Sequence, residues 1–219
     1  MPSKLFFDLN DDKQQNILEI SRKEFVDNGY ELASTNRIIK AAKIAKGSLF
    51  KYFKSKEELY LDIIDISINN MIRDTSNDYS NLPDDLFEMI LKYSEIEFNW
   101  YINNKYEYKI IRNAFRKDNP LYSKLIDKYG KSSEDMFFAL LDGIKTDDFS
   151  AEPDMILNTL KWFLNSFNEE FLSGLDEESS CDKVKKEYLT KLSSYLDLLK
   201  IGLLKKDHQK GGHNEISTR

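Results

Sequence analysis

The chain has 219 residues, 41% of them apolar and 32% charged, with a formal net charge of −6. That is enough apolar material for one large or two small packed domains, and too much for a disordered chain. Only 4 Pro and 8 Gly argue against a turn-rich all-β fold, and no apolar run is long enough to span a bilayer. The single cysteine, Cys181, cannot close an internal disulfide, and the patch Leu5-Phe6-Phe7, with Asp8 directly after it, is too short for a signal-peptide core. A cytoplasmic protein with no membrane partner is the expectation.

Apolar residues recur at spacings of three and four along most of the chain, which predicts an all-α fold of about nine helices. Asp11 or Asp12 can cap a first helix to about Asn28, with Ile17, Ile20 and Phe25 facing inward and Gly29 as a left-handed terminator. Ser34 or Thr35 can cap a second, about Thr35 to Lys43, and a third spans about Ala45 to Phe53 with Leu49, Phe50 and Phe53 as its inner face. Ser55-Lys56-Glu57-Glu58 is a capping box that opens a fourth helix through Leu59, Ile63 and Met71, ending before Leu82-Pro83. Further helices are predicted over about Asp84–Asn103, Lys105–Arg116, Asn119-Pro120 to Ile144, Pro153–Leu175 and Cys181–Lys205. Thr146 to Ser150 reads as a turn, and residues 206–219, with Gly211-Gly212, read as a disordered tail.

The charge is unevenly placed. Leu32 to Lys56 contains no Asp or Glu but carries Arg37, Lys40, Lys43, Lys46, Lys51, Lys54 and Lys56, a local +7 that leaves −13 on the rest of the chain. A basic island on an acidic protein is the footprint of a phosphate-binding surface. It coincides with three short helices, the second and third about three residues apart, which is the helix-turn-helix arrangement over residues 33–53. Ala42, Ile44 and Leu49 are small or apolar where the paired helices cross, and Lys46, Ser48, Lys51 and Tyr52 give the last one a polar, basic outer face.

The run Lys46-Gly47-Ser48-Leu49-Phe50-Lys51-Tyr52-Phe53-Lys54-Ser55-Lys56-Glu57-Glu58-Leu59, preceded by Gly29-Tyr30 and Ser34-Thr35, resembles the N-terminal domain of TetR-type transcriptional regulators. By motif the resemblance covers residues 11–71. It implies that Lys46 and Gly47 meet phosphates and base edges, that Ser48 and Lys51 face bases, and that Tyr52 bonds a phosphate. It also implies phosphate clamps at Lys56 and at Ser34 and Thr35, each at the start of a helix. Gly47 would allow the backbone close to DNA. Three positions depart from the family pattern: Lys43 stands where a turn glycine is usual, Ala45 where a capping Ser or Thr is usual, and Phe50 where Tyr is common.

Residues 80–205 resemble that family's ligand-binding and dimerisation domain in length and helix number. The last two helices are apolar on more than one face, which favours burial against a second copy, with Leu160, Phe167, Phe171, Leu192, Tyr195 and Leu199 as the pairing set. Aromatic residues of the middle and later helices, Trp100, Tyr101, Phe115, Phe138, Trp162 and Phe163, are candidates to line a small-molecule pocket. His208 and His213 lie in the tail, so no metal site is expected, and no cofactor motif or catalytic constellation is visible. The reading is therefore a non-enzymatic homodimer that binds a pseudo-palindromic double-stranded operator and is released by an effector. The alternative is a helical small-molecule or lipid-binding protein without DNA binding.

Overall fold

The computed structural model describes residues 2–130, 147–175 and 180–205. Among them are ten α-helices: α1 Lys4–Phe7, α2 Asp11–Leu32, α3 Thr35–Ala41, α4 Lys46–Tyr52, α5 Lys56–Tyr79, α6 Leu86–Asn103, α7 Lys105–Ala114, α8 Tyr122–Leu125, α9 Pro153–Ser173 and α10 Cys181–Leu203. α8 runs on into a single π turn, Ile126–Gly130. No strand is formed among the described residues; an isolated antiparallel bridge joins Phe149 to Leu204. The all-α expectation holds, and none of the described helices is long and apolar enough to cross a membrane. The expected tail, with His208 and His213, and the expected helical stretch from 131 to Ile144 lie outside the described residues.

The described residues group into two units, one drawn from Met1–Ser80 and Trp100–Leu140, the other from Asn81–Asn99 and Leu141–Arg219. In the first, Ile17 and Phe25 of α2, Ile38 of α3, Leu49 of α4, Leu59, Ile63 and Ile64 of α5 and Ile110 of α7 form one buried cluster with Phe53. Each such side chain contributes about 1.5–3 kcal/mol on burial. The short helices of this unit are held by that cluster rather than by their own propensity.

Helix ends follow the sequence with instructive shifts. Asn10, not Asp11 or Asp12, caps α2, accepting from the Lys13 amide at 2.9 Å. Gly29 has positive φ as expected, but with φ 69° and ψ 169° it kinks α2 rather than ending it, and Tyr30–Leu32 adds a further turn. That backbone region is open to little but glycine. Ser55 accepts from the Glu58 amide at 3.0 Å, and Glu58 reaches back to the Lys54 amide at 3.2 Å, one residue earlier than in an ideal capping box. Pro120 does not begin a helix: Asn119 accepts from the Leu121 amide at 2.9 Å, and α8 starts at Tyr122.

The turn between α3 and α4 is a Schellman motif. The Ile44 amide donates to Ile39 O at 3.2 Å and the Lys43 amide to Lys40 O at 3.4 Å. Ile39 and Ile44 both pack on the core, as the motif requires. Its left-handed position is Lys43, at φ 53°, the single non-glycine residue with positive φ among those described.

One polar group ties α2, α5 and α7 together. Arg22 pairs with Glu107 at 2.8 Å, with their side chains 6% and 11% exposed, and Asn70 Nδ2 donates to Glu107 Oε1 at 3.0 Å. Burial pushes the Arg22 guanidinium down from its ordinary value, and Glu107 opposes that shift.

In the second unit Asp85 caps α6, accepting from the Phe87 and Glu88 amides at 3.0 Å. Phe98 stacks on Tyr188 at 4.2 Å between ring centroids, and Tyr188 donates to Asn168 at 2.7 Å. Ile156, Leu160 and Leu164 of α9 and Val184, Tyr188, Leu192 and Leu196 of α10 are buried. The segment before α9 is more than a polar turn: Phe149 is buried, the Ser150 amide donates to Leu203 O at 2.9 Å, and the Lys205 amide donates to Asp148 O at 2.9 Å.

Two predictions follow from these local arrangements. Lys43→Gly relieves about 1–2 kcal/mol of left-handed strain against about 0.4–1 kcal/mol of added unfolded-chain entropy. It stabilises the protein slightly in urea titration, whereas Lys43→Val destabilises it; equal loss in both variants would contradict the turn geometry. Glu107→Ala, which leaves Arg22 buried without its charge partner, lowers unfolding free energy by about 3–5 kcal/mol, and the double variant Arg22→Met/Glu107→Leu recovers most of it.

Candidate nucleic-acid interface

The site is built from α3, the Lys43 turn and α4. Ile38, Ala42, Leu49 and Phe53 point into the core, which fixes what remains outside. Ser34 caps α3, accepting from the Arg37 amide at 3.4 Å, while its own amide donates to Glu24 Oε1 at 2.8 Å. Arg37 Nε donates to both Glu24 oxygens, at 2.9 and 3.1 Å, and this bond raises the Arg37 pKa. Ser34 and Arg37 thus lock α3 onto α2. Thr35, the first residue of α3, is half-buried.

α4 carries Lys46, Gly47, Ser48, Lys51 and Tyr52 on seven residues. Lys46, Gly47 and Lys51 are exposed; Ser48 and Tyr52 are half-buried. Residues 47, 48 and 51 share one side of the helix, opposite Leu49 and Phe53. A Cβ placed on Gly47 meets nothing within 4 Å, so no packing within the protein demands glycine there. Ala45 provides no side-chain cap for α4. Phe50 is 40% exposed, so it is not the inner-face residue the sequence suggested.

The basic island is thinner than its formal charge. Arg37 is spent on Glu24, and Lys54 lies 3.6 Å from Glu58. Lys56 donates to Glu31 O at 2.9 Å and stands 4.9 Å from the centre of the Tyr30 ring, so the expected phosphate clamp is here a contact within the protein. Lys40, Lys43, Lys46 and Lys51 are exposed and form no ion pair among the described residues. Sequence reasoning missed a residue outside the motif: Ser3, whose amide and hydroxyl donate to Tyr52 O at 2.9 Å and Lys51 O at 2.7 Å. The signal was the patch Leu5-Phe6-Phe7 ahead of Asn10, readable as a short buried element.

The candidate pocket residues are divided between the two units. Trp100 and Tyr101 are buried in the first unit, Trp100 Nε1 donating to Asp74 Oδ2 at 3.3 Å and Tyr101 lying edge-on to Tyr108. Phe115 packs edge-on against Tyr129. Phe138 lies outside the described residues. In the second unit Trp162 is 67% exposed, while Phe163 lines a groove of about 430 Å³ between α9 and α10 with Phe167, Phe171 and Tyr195. Of the candidate pairing residues, Leu160 and Leu192 are fully buried and offer no surface. Phe167, Phe171 and Leu199 are half-buried, and Tyr195 is exposed. The apolar surface is carried instead by Met155, Trp162, Leu198 and Ile201.

Residues 17–63 match the model of the family described as bacterial regulatory proteins, tetR family. The transcriptional regulator QacR of Staphylococcus aureus is 40% identical over 50 residues, 23% of this chain and 27% of that protein. A second Staphylococcus aureus regulator, SAB2452, is 25% identical over 162 residues, 73% of this chain and 83% of its own length. Among solved structures, a TetR-family regulator from Chloroflexus aurantiacus superposes with a TM-score of 0.75 at 20% identity, covering 94% of this chain and all of that one. The regulator KstR2 of Mycobacterium tuberculosis does so at 0.65 and 17%, covering 90% and 97%. The helix-turn-helix likeness, its continuation at lower identity along most of the chain and the shared all-helical fold lead to one conclusion: residues 17–63 form a helix-turn-helix DNA-binding domain of the tetR-family type, on a chain whose all-helical fold is the one seen in TetR-family regulators.

Proposed function

We propose that the protein is a homodimeric repressor that places two copies of α4 in successive major grooves of a pseudo-palindromic operator and leaves it when a small molecule binds. The observation that carries the DNA reading is the acid-free outer side of α3 and α4, where Lys40, Lys43, Lys46 and Lys51 have no carboxylate partner among the described residues. Lys46 and Lys51 bring charge to the phosphates, Ser48 and Lys51 reach base edges, and Gly47 lets the helix approach. Ser34, Thr35, Tyr52 and Lys56 complete the contact set. Lys56 has two further N–H donors beside the one given to the Glu31 carbonyl, and it takes up its phosphate with those or by exchanging that weak neutral acceptor for the anion.

Gly47 separates folding from binding. Glycine inside a helix costs about 0.5–1 kcal/mol relative to alanine, and a Cβ here meets open space. Gly47→Ala is therefore expected to raise the urea midpoint while weakening binding to duplexes enriched from a random pool by the wild-type chain. Lys46→Ala is expected to lower the slope of log affinity against log salt by about 0.9 per lost phosphate contact. If wild type enriches no duplex, while an apolar dye still binds the second unit, the ligand-binding alternative without DNA takes its place.

Pairing rests on surface that one protomer leaves uncovered. Met155 and Trp162, seven residues apart on α9, are 63% and 67% exposed, and Tyr195 and Leu198 on α10 are 49% and 66% exposed. Large apolar side chains on neighbouring helices mark a protein-binding surface. A two-fold partner presents the same four and closes the contact. The effector reading rests on the α9–α10 groove, with Phe163, Phe167, Phe171 and Tyr195 as walls and Glu170, Glu187 and Lys191 among its polar lining. Such a ligand releases DNA only by its preference for the non-binding state. The wild-type chain is expected to sediment at twice its chain mass at micromolar concentration, and Trp162→Lys/Leu198→Glu at its chain mass with helix content unchanged. A double variant that still dimerises would move the interface elsewhere.

A further inference from the structure

The residues ahead of the helix-turn-helix do not hang free. Ser3 donates its amide to Tyr52 O at 2.9 Å and its hydroxyl to Lys51 O at 2.7 Å. The last carbonyls of a helix have no partner within it, and here two of them are answered by one residue 48 positions away. Phe6 is 1% exposed, with its ring 5.0 Å from that of Phe53 and 6.0 Å from that of Tyr52. The far end of the segment is tied to α2: Gln14 Nε2 donates to Leu9 O at 2.8 Å, and Leu9 packs on the core. The segment from Ser3 to Leu9 thus bridges α2 and the C-terminal end of α4.

We propose that residues 3–9 are a strap that positions the recognition helix, so that base discrimination by α4 depends on Ser3 and Phe6, outside the helix-turn-helix. This rests on the DNA-binding reading above. The need for a strap is local. α4 has no side-chain cap at Ala45 and follows a non-glycine left-handed residue at Lys43, so its N-terminal end is under-supported. Ser3 holds the opposite end by the carbonyls of Lys51 and Tyr52, two of the residues assigned to DNA. Gly47 lies five residues away, about 7.5 Å along the axis. Fraying or tilting at the held end shifts base-reading atoms by more than the roughly 0.5 Å that a specific contact tolerates. Lysine attraction to phosphates, being undirected and nearly constant over so small a distance, survives such a shift. Ser3 and Phe6 are positioning residues.

The test compares wild type, Ser3→Ala, Ser3→Thr, Phe6→Leu and Phe6→Ala as full chains. Affinities are measured for the duplex that wild type enriches from a random pool and for a scrambled duplex of equal composition, across a salt series. Ser3→Ala and Phe6→Ala are expected to lower the ratio of the two affinities about tenfold, in line with loss of one or two hydrogen bonds' worth of ordering per site. Scrambled-duplex affinity and salt slope stay unchanged, and Ser3→Thr and Phe6→Leu restore the ratio. An unchanged ratio in Ser3→Ala and Phe6→Ala overturns the proposal. So does a parallel fall of both affinities with the folded fraction, which is what simple destabilisation gives. Amide exchange in the free protein reads the strap without DNA: residues 49–53 exchange faster in Ser3→Ala while α2 and α5 do not. Failure of wild type to enrich any duplex sinks the DNA reading, and unchanged exchange at 49–53 sinks the strap itself.

Discussion

A helix of seven residues does not hold its own shape in water, where isolated helices shorter than about 12–15 residues are marginal. α4 has seven, and every feature of the first unit bears on keeping it helical and aimed. Leu49 and Phe53 are given up to the core. The Schellman turn at Lys43 fixes the angle at which the chain leaves α3, and Ser55 starts α5 at once after α4 ends. Only the residues that none of this consumes are left to meet another molecule. Lys46, Gly47, Ser48 and Lys51 are available because Leu49 and Phe53 are not.

The same division governs charge. A formal +7 between residues 32 and 56 suggests a broad basic surface, yet three of its cations are used to build the head. Arg37 closes α3 onto Glu24, Lys54 sits near Glu58, and Lys56 spans to Glu31 and Tyr30. Four lysines remain on an otherwise acidic chain. Because screening at physiological salt confines attraction to about 8 Å, a small cluster suffices to bind a phosphate row it touches. The excess of carboxylates elsewhere repels duplex that is approached in any other way. An acidic protein with a small basic face therefore discriminates in orientation better than a uniformly basic one.

The sequence carried this head clearly because its signals are local. Ser55 and Glu58 declare a helix start, Leu49 and Phe53 a buried face, and the gap at residues 42–45 a turn. What stayed hidden depends on partners far along the chain. Nothing near Arg37 says that Glu24 neutralises it, nothing near Lys56 says that it reaches Glu31, and the union of Ser3 with Lys51 spans 48 residues. The second unit was harder still. Its helices were found by periodicity, but periodicity cannot tell a seam within the protomer from a surface. Leu160 and Leu192 are fully buried, whereas Trp162 and Leu198 are exposed on the same two helices. The candidate pocket residues were hard to sort for a related reason: aromatic content marks core as readily as cavity, and Trp100 and Tyr101 are buried while Phe163 lines a groove.

The joint between α2, α5 and α7 limits how such a head can respond to a ligand. Moving a two-state equilibrium from 1:99 to 99:1 takes about 5.5 kcal/mol of preferential binding. Leaving one member of a buried pair without its partner costs about 3–5 kcal/mol, so a state in which Arg22 and Glu107 stay buried but apart is disfavoured on that scale. Glu107 also accepts from Asn70, so one carboxylate anchors α7 to α2 and α5 together. A response that slid α7 past α2 would forfeit the Arg22–Glu107 pair. A response that carries α2, α5 and α7 as one body keeps that pair and the Asn70 bond as well. α4, held to that body through Leu49, Phe53 and the Ser3 strap, then moves with it as a rigid reader. Within this unit, a movement that keeps α2, α5 and α7 together is thus energetically cheaper than one that parts Arg22 from Glu107.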